Sequence, residues 1–484
     1  MDFGLKKSIH HKTGFSISFL LLIVLPVLTF FSFLPVSAGA DEPSHQATAW
    51  YAVHHFNLPK VNYQPSDNTP TSLVVNPCYV NSYHFPNIEC LKSEKHQLNT
   101  YTSTPISNYA LPYFVIVGIG QEMAIHLNWN FAPLGGRLAG LCLNLFVLFI
   151  ASKIFSKYTK RANILLFCAL TPMTIFYLTV VNPSGWEIST SILFLATLID
   201  YIKSKRSNGK VMFRSSTGLL ISASLFVTAR PLAIGWLCLI IVLTYSVMGI
   251  PKTLLVSLGK LLFPSMILAA GWNLTHKPGL LVLPNHVGQS DIGFNNYISW
   301  MLQSLNLMPE YFRQMVGVLG WGDVAISPFV SLIWIFVFAF VIGVNVSRIA
   351  RPWIFGTIAG IGLVIFPALI ETIYWNSWPA WWQGRYELPF LVPLLILVLL
   401  RNEEGKNMIV YLFGFSLFVK VYMQVFAFLR YGYGLSDLGF PKLSQEIQFS
   451  TILTVTFLVC TIFQTLMASL WLKSTSIFSM QVEK

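Results

Sequence analysis

The sequence predicts an all-α, polytopic transmembrane helical protein, and three observations carry the prediction. Only 10% of the 484 residues are Asp, Glu, Lys or Arg, against about 25% in a soluble domain. So little charge cannot cover a water-facing surface. The apolar residues, 54% of the chain, fall in long runs rather than short periodic stripes, so lipid is the solvent they suit. The aromatic residues, 15% of the chain, gather at the ends of those runs, where amphipathic rings settle at the membrane–water boundary.

The first apolar run, 15–36, follows Lys6, Lys7 and Lys12. The Ala38-Gly39-Ala40 beyond it resembles a signal-peptidase site. A signal core is only about 7–15 residues long, so the run reads as a retained span that sends the chain outward. Residues 37–135 then form a first outer loop. Within it, 109–127 is apolar but contains Pro112, Gln121, Glu122 and His126. If it crossed, Lys153, Lys157, Lys160 and Arg161 would face outward, against the positive-inside rule. It reads instead as a juxtamembrane helix in the outer interface.

Further apolar runs cover 136–152, 162–181, 186–202, 215–229, 231–250, 254–272, 328–346, 353–374, 386–400, 408–429 and 449–472. With the first span they give about twelve crossings. A second large outer loop, 273–327, separates two of them. The whole chain, 1–484, reads as one polytopic membrane domain, with no internal repeat, heptad pattern or low-complexity tail.

Charge placement orients this layout. Of the 31 Lys and Arg residues, 20 fall in the expected inner segments, ten in the much longer outer ones, and Lys420 lies inside a span. That bias places both termini in the cytoplasm of a multi-pass cell-membrane protein. The formal charge of +12 sits in short clusters facing anionic lipid. It does not form the basic stripe that binds nucleic acid. Cys142, Cys168, Cys238 and Cys460 lie in apolar runs, where Cys acts as a small hydrophobe. Cys78 and Cys90 share the first outer loop, where a disulfide between them is expected.

The candidate chemistry lies on the outer side. Asp41 and Glu42 stand almost where the first span ends, followed by Pro43 and His45. One reading makes them a solvated helix cap, since acidic residues and proline suit a first turn. The other makes them a base held at the membrane surface. Arg137, Glu187, Arg230, Glu371, Arg385 and Glu387 all fall at expected outer ends of spans, and Tyr386 lies between the last two. Such residues can snorkel or pair. Gathered on one side, they also describe a polar cleft: arginines suit phosphate, and carboxylates suit removal of a hydroxyl proton. Trp375, Trp378, Trp381 and Trp382 form either an interfacial belt or a platform for sugar rings or a prenyl chain. Lys420 either snorkels outward or binds phosphate. His54 and His55 are adjacent, do not share a helix face, and are not read as metal ligands.

The order of parts resembles the GT-C class of membrane glycosyltransferases. The resemblance rests on Asp41-Glu42-Pro43 with His45, Tyr109-Ala110-Leu111-Pro112-Tyr113, Gly136-Arg137-Leu138, Thr171-Pro172-Met173 with Asn182-Pro183, and Gly384-Arg385-Tyr386. The same pieces are most similar to a family of bacterial membrane proteins described only as a domain of unknown function. The resemblance implies a GT-C-like fold and transfer of a sugar, with inversion, from a polyprenyl-phosphate carrier to a saccharide, lipid or protein acceptor at the outer face. It makes Asp41 the base, Glu42 its assistant, and Arg137 and Arg385 the holders of the donor phosphate. No cofactor is required, and a divalent metal can be accommodated.

Three other functions fit a chain of this kind. A transporter or flippase of lipid-linked saccharides would show repeated halves and broken helices near the midplane, and the sequence shows neither. A polysaccharide polymerase and a non-enzymatic membrane scaffold would share the spans and outer loops. The topology itself is testable by cysteine accessibility in intact cells. Ser103→Cys should label from outside and Ser156→Cys should not; external labelling of position 156 would reverse the assignment.

Overall fold

A computed structural model describes residues 15, 17–58, 73, 78, 109–128, 131–208, 213–275, 294–375, 382–401, 406–434 and, apart from 456 and 460, 454–466. The chain is helical almost throughout these segments. Helix α1, Ile17–Phe33, contains a π-turn at Leu20–Val24. A tight turn leads into α2, Glu42–His55, with Pro43 in its first turn, where a missing N–H costs nothing.

Helices α3, Leu111–Ile125, and α4, Ala132–Phe155, form an antiparallel hairpin built on glycine. A Cβ at Gly120 would lie 2.4 Å from the Gly135 carbonyl oxygen, and one at Gly135 would lie 2.2 Å from that of Gly120. Gly118 meets α2 in the same way, 2.3 Å from the Ala49 oxygen. Small residues thus bring three backbones together, the packing that works where lipid removes the hydrophobic drive. The opposite face of α3 exposes Ile116, Ile119 and Met123, an apolar stripe at helical spacing. Fifteen residues make about 22 Å of helix, short of the bilayer's hydrocarbon thickness of about 30 Å. The segment expected in the outer interface is a helix that packs along the first turns of α4.

The run 162–181, expected as one span, is broken. Helix α5, Ala162–Ala169, and helix α6, Pro172–Thr179, meet at 94°. Pro172 has no N–H to continue α5, and a residue before proline is driven from the helical region. Thr171 is accordingly extended, at φ −74° and ψ 162°, and its hydroxyl caps α6 by accepting the Thr174 N–H at 3.1 Å. The absence of broken helices expected from the sequence is thereby corrected.

Helix α7, Pro183–Asn208, forms the centre, with every residue of 183–199 buried. Its hydroxyl side chains tolerate this by bonding their own backbone: Ser189 to Gly185 O, Thr190 to Trp186 O, and Thr197 to Leu193 O. Around it pack α4, α8 (Phe213–Val227) and α15 (Leu388–Leu400), with α9 (Ala233–Met248) and α10 (Lys252–Thr275) beyond α8. The segment expected as the second outer loop supplies α11, Phe294–Asn306, α12, Met308–Gly317, and a two-stranded antiparallel hairpin, β1 Val318–Leu319 and β2 Val324–Ala325. Then come α13, Pro328–Asn345, α14, Pro352–Tyr374, a 3-10 turn at Gly384–Glu387, and α16, Lys406–Tyr433.

Among the described residues, five helices are long and apolar enough to cross a bilayer: α4, α10, α13 with its 3-10 extension, α14 and α16. The bent α5–α6 pair makes up to six. The count of about twelve is not reached. The remaining runs, where described, fold either into shorter helices, such as the 13-residue α15, or into α7, which is long but polar. The tight α3–α4 contact predicts a specific sensitivity. Gly135→Val should destabilise the protein by about 1–3 kcal/mol, the usual range for overpacking, read as a lowered thermal midpoint in detergent. An unchanged midpoint would mean the two backbones are not in contact.

Candidate functional site

The adjacent carboxylates of Asp41 and Glu42 have opposite fates. Asp41 is left-handed, at φ 62° and ψ 6°, a conformation that Asp tolerates better than most residues. It occupies the N-cap position of α2, yet its side chain caps no backbone N–H. Its Oδ2 instead accepts a hydrogen bond from Arg385 Nη2 at 3.0 Å, and the side chain stays 31% exposed. Glu42 points the other way, into the protein. Arg137 grips it bidentately, Nε to Oε1 and Nη2 to Oε2, both at 2.6 Å. Glu42 also accepts the Gly39 and Val181 N–H groups, each at 3.0 Å. Arg137 donates further to the carbonyls of Leu34 and Pro35.

Arg137 and Glu42 are each only 1% exposed. Arg137, expected to hold a donor phosphate, instead fastens the turn that carries Asp41, and Glu42 shares that structural role. The arginine facing the same space as Arg385 is Arg230. Its guanidinium lies between the rings of Tyr109 and Tyr386, 5.1 and 5.2 Å from their centroids. Arg385 lies 5.1 Å from the same Tyr386 ring and 5.5 Å from Tyr177. Three tyrosines and two arginines thus alternate, and the rings hold both guanidinium groups by cation–π attraction. Arg385 also donates to the hydroxyls of Tyr177 at 2.9 Å and Tyr386 at 3.2 Å. Arg230 donates to Asn182 Oδ1 at 3.3 Å and lies 3.8 Å from Glu187.

Hydrogen-bonding capacity is left over at this place. The Nε of Arg230, the Nε of Arg385, His45 Nδ1 and Glu187 Oε1 are buried and have no hydrogen-bond partner. A buried polar group without a partner costs free energy, so unused groups crowded around one accessible carboxylate suggest a site built for a polar ligand.

Glu371 and Glu387 belong to a neighbouring cluster. Tyr311 of α12 donates to both oxygens of Glu371, at 2.7 and 2.6 Å. The Trp382 indole N–H donates to Glu387 at 2.9 Å. Trp382 is 1% exposed, so it is not an interfacial belt residue; Trp378 and Trp381 lie outside the described residues. Lys420 is buried and neither snorkels nor faces the site: its Nζ is 3.5 Å from Ser416 O and 4.1 Å above the Phe167 ring. Cys78 is disulfide-bonded, while Cys90 lies outside the described residues. Among the described residues, no group of three or more His, Cys, Asp or Glu side chains could hold a metal ion.

Sequence reasoning brought Asp41, His45, Glu187, Arg230, Arg385 and Tyr386 to one side, and the structure brings them together. It missed Tyr177 and the ring of Tyr109 as partners of the arginines. The available signal was that both tyrosines lie just before or after a helix-breaking motif.

Burial pushes the Asp41 carboxyl up, but Arg385, with Arg230, holds it below the usual carboxylate range. His45 is driven down to about 3, chiefly by burial, with Arg230 and Arg385 adding to the effect against the pull of Asp41. It is therefore neutral in the folded protein and ordinarily basic when unfolded. Between about pH 6.5 and pH 3 the unfolded chain binds the extra proton, so folding stability falls as pH falls. His45→Gln should remove this sensitivity. At pH 4.5 the wild type should lose about 2–3 kcal/mol from this group, and melting curves of both proteins from pH 7 to 4.5 would measure the difference. Parallel curves would show that His45 is charged in the fold.

No curated protein and no solved structure matches the chain. A family model matches residues 22–395, a stretch that includes both carboxylates, the broken helix and the Arg385 turn. The chain belongs to the family described as Predicted membrane protein (DUF2142).

Proposed function

We propose that this chain is a glycosyltransferase that moves a sugar from a polyprenyl-phosphate donor to an acceptor hydroxyl at the outer face of a bacterial cell membrane, with a GT-C-like arrangement and both termini inside. The observation that carries the reading is the partly exposed Asp41 carboxylate beside two aromatic-held guanidinium groups whose Nε atoms have no hydrogen-bond partner. A phosphate needs charge-assisted donors, and an acceptor hydroxyl needs a base within reach.

In the proposed reaction Asp41 takes the acceptor's hydroxyl proton. The acceptor oxygen forms a bond to the anomeric carbon, and the bond from that carbon to the phosphate oxygen breaks on the opposite face, inverting the centre. The electron pair leaves with the phosphate, where Arg385 and Arg230 stabilise the charge. Arg230 takes the place the sequence reading gave Arg137. Because Arg385 depresses Asp41, a phosphate that draws on Arg385 would relax this hold and make Asp41 a stronger base when donor is bound. Neutral His45, held at the start of α2 by its N–H to the Asp41 carbonyl at 3.0 Å, can donate or accept a hydrogen bond to the acceptor. The reaction uses no cofactor and is compatible with a divalent metal.

A second reading is favoured by one observation. The 94° break between α5 and α6 is of the kind that lines substrate paths in transporters, so a flippase of lipid-linked saccharides is the alternative.

Radiolabelled sugar transfer by purified protein separates the two. Asp41→Asn keeps the shape and tolerates the left-handed backbone, so it should abolish turnover with donor affinity nearly unchanged. Arg385→Ala should weaken donor binding at least tenfold, about 1.4 kcal/mol or more for a charge-assisted contact. Arg385→Lys should recover only part of it, lacking the planar fork. Near-normal turnover by Asp41→Asn would place the base elsewhere. Carrier translocation without transfer would establish the flippase.

A further inference from the structure

We propose that Trp321, in the hairpin of the second outer loop, is a positioning residue that sets the placement of Asp41. The inference rests on the reading of Asp41 as the functional carboxylate, but its geometry is independent of the reaction.

The turn from Leu34 to Asp41 is an unfavourable piece of backbone. Two of its residues that are not glycine, Ser37 at φ 66° and Asp41 at φ 62°, are left-handed. Such conformations persist only where surrounding contacts impose them. Those contacts come from several elements. Arg137 of α4 holds the carbonyls of Leu34 and Pro35. Asn182, before α7, donates to Ala40 O at 3.0 Å, and Glu42 accepts the Gly39 N–H. The carbonyl of Ser37, the first left-handed residue, is held by the Trp321 indole N–H at 3.0 Å. This hydrogen bond crosses 284 positions of sequence and ties the second outer loop to the first.

Trp321 is itself fixed. Its backbone N–H donates to Asp323 Oδ1 at 3.0 Å. Asp323 forms a buried ion pair with Arg430 of α16, at 3.3 Å. The hairpin pairs Val318 with Ala325 and Leu319 with Val324. Its turn needs Gly320, at φ +66°, where a Cβ would lie 2.3 Å from Asp323 Oδ1 and 2.8 Å from the Tyr431 hydroxyl. The route runs from Arg430 through Asp323 and Trp321 to Ser37 O, and from there over four residues to Asp41. It has a geometric consequence: movement of the hairpin would be transmitted to the turn bearing the carboxylate, whereas the two arginines, held by their tyrosine rings, would stay.

The test uses Trp321→Phe, which keeps an aromatic ring but removes the N–H and leaves a smaller side chain. Hydrogen exchange across residues 36–42 should speed by about tenfold, the equivalent of one neutral hydrogen bond, with exchange in α7 unchanged. If transfer is measurable, kcat should fall by about tenfold while donor Kd stays within about twofold, the reverse of Arg385→Ala. Asp323→Asn, which keeps an acceptor for the Trp321 N–H but removes the ion pair, should shift both readouts in the same direction by less. Wild-type exchange across 36–42 in Trp321→Phe would overturn the proposal. Absence of transfer by the native protein would overturn the enzymatic reading alone, and exchange would still decide whether Trp321 holds the turn.

Discussion

The buried ion pair of Glu42 with Arg137 is the constraint on which the region around the candidate site depends. Each charge is removed from water, which costs several kcal/mol per ion unless geometry repays it. Here the pairing is bidentate, two backbone N–H groups complete the carboxylate, and two carbonyls occupy the remaining reach of the guanidinium. These contacts join the end of α1, the start of α2, the first turns of α4 and the segment leaving α6. Loss of one partner would leave a buried charge and unbonded main chain together, a larger disturbance than loss of both. The pair therefore specifies one arrangement of four chain segments.

That arrangement separates two neighbouring carboxylates. Asp41 is left-handed and stands just ahead of the helix that Glu42 begins, so its side chain does not follow the face of Glu42. With Glu42 committed inward, Asp41 is directed to the opposite side of the turn and meets Arg385. The broken helix serves the same end. Because α6 leaves α5 at 94°, it carries Tyr177 to Arg385 and places the Val181 and Asn182 main chain beneath the turn. There Val181 N bonds Glu42, and Asn182 N bonds the Tyr113 hydroxyl at 3.1 Å. A straight span from 162 to 181 would carry these residues away from the turn.

Several of these features were legible in the sequence because they follow from local chemistry. Sparse charge and long apolar runs identify the solvent, and Thr171-Pro172 is a helix break in plain view, although the apolar content around it suggested continuity. Ionisable residues confined to one set of span ends located the cleft. The partners were not legible. Arg137 and Arg230 are both single arginines at the outer end of an apolar run, and nothing local tells which one meets a carboxylate completely and which is left with an unbonded Nε. Trp321 was likewise hidden: a tryptophan in an outer loop resembles any interfacial aromatic until its N–H is found on Ser37. The count of about twelve crossings is not confirmed for a different reason: run length was read as crossing, while residues 183–199 of α7 and 388–399 of α15 are buried among other helices.

The pairing also explains how so many ionisable groups can be enclosed together. Three kinds of contact divide the work. The Glu42–Arg137 pair satisfies its own charges. The Asp323–Arg430 pair anchors the hairpin. The tyrosine rings hold Arg230 and Arg385 on their faces, while Tyr177, Tyr386, Asp41 and Asn182 take hydrogen bonds from their Nη atoms. What remains without a hydrogen bond is the Nε of each arginine, together with neutral His45 Nδ1. A guanidinium restrained by its faces keeps its planar donors directed, and directed donors in a site of low dielectric stabilise developing negative charge without reorganising at the moment it appears. Buried donors left without a hydrogen-bond partner are a standing cost where there is no anion to bind, and the place where two of them, the Nε atoms of Arg230 and Arg385, lie beside a partly exposed carboxylate is the physical reason to regard it as a site.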